Sequence, residues 1–183
     1  MNKHIKLLLG GKIGVMPTDT IYGLVGQALN KETVERIYAT RKRNPSKPMI
    51  ILINSIKDLE LFGIEADEKL KMILSQFWPG KVSVVLPIAN ACYLEKLFYL
   101  HRGTKTLAFR LPNNKEFADL LSQTGPLVAP SANTEGMSPA ITNEEAKKYF
   151  GDQLDFYIDG GKIESSPSRL IKIENGKIIE LRK

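Results

Sequence analysis

The 183-residue sequence predicts an α/β fold in a single domain, residues 1–183, with a twisted mixed sheet flanked by helices. The continuous apolar run Met49–Ile53 is typical of a strand buried on both faces. Between such runs, apolar residues recur at three- and four-residue spacing, which indicates helices that each have one apolar face. The pair Asn175-Gly176 near the end predicts a tight turn, so that a terminal hairpin adds antiparallel pairing to the sheet.

Helices and strands alternate along the chain, and no repeat or Pro-, Gly- or Ser-rich linker interrupts them. The predicted strands are Lys12–Met16, Met49–Ile53, Val82–Leu86, Thr106–Arg110, Leu127–Ala129, Leu170–Ile173 and Lys177–Leu181. The predicted helices cover Lys31–Thr40, with Asn30 as N-cap, and the segments marked by Leu70–Phe77 and Phe117–Leu121.

Positive charge is concentrated in the first 50 residues. The whole chain has 26 Lys and Arg against 20 Asp and Glu, a net charge of +6. The first 50 residues hold nine of the basic and three of the acidic side chains, so the entire surplus lies there. Four of these cations fall within Arg41–Lys47. Such a cluster either binds phosphate, nucleic acid or an anionic membrane, or forms a solvated face.

Several classes of protein are excluded. The single Cys92 rules out an internal disulfide and multi-cysteine metal sites, and it fits a reducing compartment. No segment approaches the roughly 18 apolar residues of a membrane span, and the N-terminus does not resemble a signal peptide, so we expect a cytoplasmic protein. His4 and His101 lie outside metal-ligand spacing and are expected on the surface, and phosphate-loop, dinucleotide and nucleophile-turn motifs are absent.

Polar loops at strand ends are the remaining candidates for a site. The loop Pro17–Leu24 suits a small polar ligand in an α/β crevice, or it is a turn followed by a helix N-cap. Ser131 and Asn133, after a buried strand, offer neutral donors to oxyanions. Arg110 ends another strand, where it either holds a carboxylate or pairs with a surface acid.

Together these segments resemble the YrdC-like (TsaC) family, the threonylcarbamoyl-AMP synthases. The shared strings are PTDTIYGL, the basic stretch ending in SKP, WPGKVSVVL, FRLP and APSAN followed by SP, in family order from about residue 8 onward. The resemblance implies the YrdC-like fold with a concave, positively lined cavity. It also implies a nucleotidyltransferase that makes threonylcarbamoyl-AMP and pyrophosphate from L-threonine, bicarbonate or CO₂, and ATP, for threonylcarbamoyladenosine modification of tRNA.

The resemblance also implies roles for individual residues. The implied catalytic set is Arg41, Arg43, Ser131 and Asn133. The implied ATP-binding residues are Arg41, Arg43, Lys47, Ser131, Asn133 and Arg182, and Thr106 and Ser138 are added to them by their spacing from Arg110 and Ser131. The implied threonine-binding residues are Thr20, Tyr22, Arg110 and Ser168. Mg²⁺ is expected on the phosphates of ATP, and neither a protein ligand nor a separate metal site is assigned.

The sequence departs from the family pattern at three positions: Arg41 stands where Lys is usual, Asn44 where Pro is usual, and Arg169 where Thr is usual. Two other functions would use the same residues. One is an RNA-binding module, whose affinity would fall steeply with salt, and the other is a nucleotide-binding YciO-type paralogue without efficient synthase activity. Expected partners are a downstream tRNA-modifying transferase complex and, weakly, RNA, but no membrane.

Overall fold

The structure is a computed structural model that describes residues 3–174 and 176–183. Within this part of the chain, the strands are β1 Gly14–Pro17, β2 Tyr22–Gln27, β3 Ile50–Leu52, β4 Val82–Pro87, β5 Thr106–Arg110, β6 Leu127–Val128, β7 Phe156–Tyr157, β8 Arg169–Glu174 and β9 Lys177–Arg182. The helices are α1 Lys3–Leu9, α2 Lys31–Arg41, α3 Glu68–Leu74, α4 Ala91–Lys96, α5 Phe98–His101, α6 Lys115–Thr124 and α7 Asn143–Phe150. Short 3₁₀ helices cover Ile56–Phe62 and Gly151–Gln153.

The strands form one mixed sheet in the order β7-β1-β2-β6-β3-β5-β4-β8-β9, which confirms the predicted fold class. The pairs β1–β7, β3–β5 and β4–β8 are parallel. The other neighbouring pairs are antiparallel, so antiparallel pairing extends through the sheet rather than being confined to a terminal hairpin. β8 and β9 do pair as predicted, although Asn175 of the predicted turn lies outside the described residues.

The centre of the sheet is apolar on both faces, as the run Met49–Ile53 predicts. Ile51 and Leu52 of β3 are fully buried and belong to different core clusters, because successive strand residues point to opposite faces. Ile37 of α2 lies in the cluster with Ile51, and Phe117 of α6 lies in the cluster with Leu52. The two helices therefore cover opposite faces of the same strand.

The strand β2 is a feature that the sequence does not predict. Pro17 pairs with Tyr22 across a hairpin, so the reading of this segment as a turn followed by a helix N-cap is wrong. Hydroxyl groups close the turn: Thr18 Oγ1 accepts from the Thr20 N–H at 3.2 Å and donates to the Ile21 carbonyl at 2.7 Å. In β2 itself, a Cβ at Gly26 would collide with Thr33 of α2, so glycine is needed for close approach of the helix.

The histidine prediction also fails in part, because His101 is buried rather than on the surface. Its Nδ1 accepts from the Gly103 N–H at 3.0 Å, and its Nε2 lies 2.7 Å from the Leu94 carbonyl, to which it donates in this tautomer. The ring therefore fastens the end of α5 to α4. Among the described residues, no helix has the length and apolar composition needed to cross a membrane.

Asn30 is the N-cap of α2, as predicted, and its side chain accepts from the Thr33 N–H at 3.0 Å. We expect Asn30→Ala to lower the free energy of unfolding by about 1 kcal/mol, because a helix N–H loses its acceptor. Urea unfolding measures the change. Asn30→Asp retains the acceptor and is expected to unfold close to the wild-type midpoint, so an equal loss in both variants would contradict the capping role.

Candidate active site

A cavity of about 200 Å³ lies between the β1–β2 turn, the C-terminus of α2 and the segments that flank β6 and β8. Seven of the predicted site residues line it: Thr20, Arg41, Arg43, Arg110, Ser131, Ser168 and Arg182. Four of the seven are arginines, which makes the cavity suited to a polyanion. Its floor is largely apolar and includes Ile50, Ala108 and Leu170.

Arg41 joins the C-terminus of α2 to the segment after β6. Its Nε donates to the Asn133 carbonyl at 2.9 Å, and its Nη2 donates to Asn133 Oδ1 at 2.9 Å and Ser131 Oγ at 3.2 Å. Burial, and secondarily the positive charge of Arg43, lowers the pKa of Arg41 to about 10, so it remains charged at neutral pH. Its Nη1 is buried without a hydrogen-bond partner in the protein. Arg41 therefore both builds the cavity wall and presents charge to it.

The three hydrogen bonds of the Arg41 side chain require a guanidinium group, so replacement by lysine is expected to have a measurable effect on stability. Arg41→Lys keeps the positive charge, but a single ammonium cannot reproduce the planar fork that bonds Ser131 and both oxygens of Asn133. We expect a loss of about 2 kcal/mol in the free energy of unfolding, because at least one charged hydrogen bond is lost in a buried place. Chemical denaturation measures it, and an unchanged midpoint would show that the fork does not stabilise the fold.

Arg110 forms a buried ion pair at the carboxyl end of β5. Its Nη2 donates to Asp19 Oδ1 at 2.8 Å, and the two side chains are only 4% and 5% exposed. Burial lowers the pKa of Arg110, while the charge of Asp19 opposes that shift. Each residue of the pair also has one buried polar atom without a hydrogen-bond partner, namely Nε of Arg110 and Oδ2 of Asp19. Arg110 therefore does pair with an acid of the protein, as one of the two interpretations predicts, but that acid is buried rather than on the surface. The other interpretation, that Arg110 holds the carboxylate of a ligand, stays a prediction.

Ser168 and Arg182 form a further part of the cavity lining. Arg182 donates to the Ser168 carbonyl through Nη2 at 2.8 Å and through Nε at 3.2 Å. The Ser168 hydroxyl lies 2.9 Å from the hydroxyl of Ser83 on β4. β8 thus brings Ser168 beside β4, and β9 returns Arg182 to the same place.

Arg43 and Lys47 belong to the basic segment 41–48, but only Arg43 lines the cavity. Arg43 donates to the carbonyls of Lys47 and Pro48 at 3.1 and 2.9 Å. The Lys47 Nζ lies 2.7 Å from Oε1 of Glu135, and its side chain is 59% exposed. The basic segment is therefore held partly by its own carbonyls and partly by an acid from the loop after β6.

Five predicted site residues do not line the cavity: Tyr22, Lys47, Thr106, Asn133 and Ser138. Asn133 lies directly behind the wall, through its bonds to Arg41. The hydroxyl of Tyr22 faces the segment after β7, where it donates to the Gly161 carbonyl at 2.8 Å. Thr106 and Arg110 stand at opposite ends of β5, and Ser138 is exposed in the loop before α7.

Sequence reasoning missed two acids of this site, Asp19 and Glu135. Each stands inside a string that carries the family resemblance or adjoins it, PTDTIYGL and the segment after APSAN. Position within those strings was therefore the one available signal, since neither acid has a local pattern that reveals its distant cation.

The fold and the site define an α/β domain with an arginine-lined cavity, and comparison with known proteins assigns its family. A family model with the description "Telomere recombination", the Sua5/YciO/YrdC domain, matches residues 6–183. The chain belongs to the Sua5/YciO/YrdC family.

Curated relatives carry the name threonylcarbamoyl-AMP synthase. The protein from Pyrococcus abyssi is 34% identical over 154 residues, which cover 83% of this chain and 44% of the relative. The Bacillus subtilis protein is 31% identical and is likewise covered over 44% of its length, so the chain spans less than half of these two relatives. A putative threonylcarbamoyl-AMP synthase from Methanocaldococcus jannaschii is 31% identical over 180 residues, which cover 97% of this chain and 82% of the relative.

Solved structures agree with this assignment. Pyrococcus abyssi Sua5 in complex with L-threonine superposes with a TM-score of 0.84 at 29% identity, covering 98% of this chain and 52% of that one. Escherichia coli YciO superposes with a TM-score of 0.83 at 22% identity, covering 99% of this chain and 87% of that one, which shows the shared fold alone.

Proposed function

We propose that the chain is an L-threonylcarbamoyladenylate synthase, a nucleotidyltransferase that consumes L-threonine, bicarbonate or CO₂, and ATP. The observation that carries the proposal is the convergence of Arg41, Arg43, Arg110 and Arg182 on one cavity. The family membership and the names of the relatives support it. Every proposed substrate except CO₂ bears at least one negative group, so such a cavity suits their assembly.

The proposed reaction needs no protein nucleophile. The neutral amine of threonine attacks CO₂ to form a carbamate and releases a proton to solvent, or it attacks bicarbonate to form the same carbamate with loss of water. A carbamate oxygen then attacks the α-phosphorus of ATP, and the bond from that phosphorus to the bridging oxygen breaks, so that pyrophosphate leaves with its electron pair. The main obstacle is repulsion between anions, which the arginines reduce by holding positive charge around the transferring group.

The two ends of the cavity suggest how the substrates would divide between them. Arg110 beside Thr20 and Ser168 offers one cation and two hydroxyls, a set that fits the carboxylate and hydroxyl of threonine. Arg41, Arg43 and Ser131 lie together at the end of α2 and fit the phosphates. Holding the reactants side by side would contribute through effective concentration.

Mg²⁺ is proposed to arrive on the phosphates of ATP, where it would shield the charge of the leaving pyrophosphate. The charged groups in the cavity wall are guanidinium ions, which bind phosphate oxygens rather than a metal, so the ion is assigned to the nucleotide. The product would pass to a tRNA-modifying transferase complex. Access to tRNA places the proposed activity in the cytoplasm.

One incubation tests the proposal. Purified protein with ATP, Mg²⁺, labelled L-threonine and bicarbonate is expected to release pyrophosphate only when all are present, and to yield a labelled acyl-adenylate detectable by mass spectrometry. Omission of threonine or bicarbonate serves as the control. Nucleotide binding without any acyl-adenylate would refute synthase activity, and salt-sensitive RNA binding without nucleotide dependence would replace it with an RNA-binding function.

A further inference from the structure

The carboxylate of Glu135 lies against the basic segment 41–48, at a position where the anion of a ligand could bind instead. Its Oε1 accepts from Lys47 Nζ at 2.7 Å, and its Oε2 accepts from the backbone N–H of Asn44. These two bonds and the nearby charge of Arg43 hold the pKa of Glu135 below its ordinary value, so the carboxylate is ionised at neutral pH. Both donors are thus occupied by an anion that belongs to the protein.

We propose that Glu135 is an internal competitor of the nucleotide polyphosphate: it holds Lys47 and the Asn44 N–H in the ligand-free protein and releases them when ATP binds. The inference rests on the proposed function in one respect: the anion that displaces the Glu135 carboxylate is the polyphosphate of ATP. It explains why Lys47 does not line the cavity even though it stands in the basic segment.

The loop that carries Glu135 allows this exchange without moving its backbone. The Glu135 N–H donates to the Arg41 carbonyl at 2.9 Å, and Asn133 Nδ2 donates to the carbonyls of Thr134 and Met137 at 2.9 and 2.7 Å. These bonds anchor the loop on both sides of residue 135. The Glu135 side chain itself is partly exposed, so it borders solvent into which it can turn. Rotation of the Glu135 side chain alone therefore frees the donors.

Exposure to solvent distinguishes the Lys47–Glu135 pair from the Arg110–Asp19 pair of the same site. The side chains of Lys47 and Glu135 are 59% and 25% exposed, so water solvates both charges when they part. Asp19 and Arg110 are 5% and 4% exposed, and parting them would leave buried charge without a partner. The Lys47–Glu135 pair is therefore exchangeable, whereas the Asp19–Arg110 pair is permanent.

Competition of this kind changes which anions bind. A ligand sees only the fraction of molecules whose donors are free, so its apparent dissociation constant rises as the internal anion occupies them. A triphosphate carries enough charge to displace one carboxylate, whereas a weakly charged anion does not. Glu135 is thus expected to favour triphosphates over singly charged anions at the cost of absolute affinity.

The test is calorimetric binding of tripolyphosphate and of ATP, without threonine or bicarbonate, to wild type, Glu135→Gln and Glu135→Ala. We expect both variants to bind tripolyphosphate about tenfold more tightly, because a negative charge next to Lys47 is removed. Adenosine binding is expected to stay unchanged. Glu68→Gln is the matched control, since Glu68 also forms a 2.7 Å pair with a lysine, Lys71, on the surface of α3, and it is expected to match wild type.

A second arm separates competition from a general charge effect. In a Lys47→Met background, Glu135→Gln is expected to produce a clearly smaller gain in tripolyphosphate affinity, since one of the donors under competition is absent. Unchanged or weaker binding by Glu135→Gln and Glu135→Ala would overturn the inference, as would an equal gain from Glu68→Gln. Failure of the acyl-adenylate assay would refute the proposed function. The calorimetric result would still decide whether Glu135 competes with polyphosphate, because that measurement does not depend on turnover.

Discussion

Arg43→Ala is expected to reduce threonine-dependent pyrophosphate release at least about 100-fold, because it removes a preorganised cation from the part of the cavity wall that, under the proposed function, would face the phosphates of ATP. Arg43 is held in place by the carbonyls of Lys47 and Pro48, so its charge is positioned before any ligand arrives. Steady-state release of pyrophosphate, with bicarbonate and ATP varied separately, measures the loss.

The neighbouring cation provides the matched control for Arg43. Lys42 is exposed, does not line the cavity and occupies the left-handed C-cap of α2 with φ 50°. Lys42→Ala removes the same charge one residue away, and we expect it to retain near-wild-type turnover. Wild-type-like turnover by Arg43→Ala, or an equal loss in both variants, would contradict the role assigned to Arg43.

Asp19→Ala is expected to destabilise the fold by about 3–5 kcal/mol, because the Arg110 guanidinium would be left charged and buried without its partner. Denaturant unfolding measures the change. Asp19→Asn retains a carbonyl acceptor for Arg110 but not the charge, so a smaller loss is expected. L-threonine binding to this second variant is expected to weaken, since Asp19 fixes the guanidinium that would hold the threonine carboxylate.

An exposed ion pair serves as the comparison for Asp19. Glu68 and Lys71 are 88% and 48% exposed, and pairs of this kind contribute little to stability. Glu68→Ala is therefore expected to leave the unfolding midpoint unchanged. If Asp19→Ala were equally harmless, the buried pair could not be what holds Arg110 in the cavity.

Much of the fold was predictable where the local pattern was strong. The run Met49–Ile53 and the Asn30 cap are local signals, and the structure contains both the buried strand and the capped helix. β2 escaped prediction because it contains Gly23 and Gly26, and glycine is uncommon in strands. These glycines are required by close packing against residues elsewhere in the chain, and a local sequence pattern does not encode such contacts.

The arginines and three of the hydroxyl-bearing residues that line the cavity were predictable from the sequence, whereas the acids beside them were not. Arg41, Arg43 and Ser131 lie in strings that resemble a family, and they do meet at one cavity. Asp19 pairs with a residue 91 positions away, and Glu135 with one 88 positions away. Charge counting finds the cations but cannot find their partners, because only the folded topology brings them together.

The strand order also governs when the cavity can come into existence. The residues that line it are drawn from the segments 18–23, 41–50, 108–110, 129–131 and 167–170 and from Arg182. β4 obtains its parallel neighbour only when β8 is available. Pairings between distant segments form slowly, and synthesis proceeds from the N-terminus at about 5–20 residues per second. On the ribosome, the basic segment 41–48 therefore emerges long before Ser168 and Arg182. The nascent chain carries exposed positive charge before the cavity is complete, and the last lining residue, Arg182, takes its place only when β9 has joined the sheet.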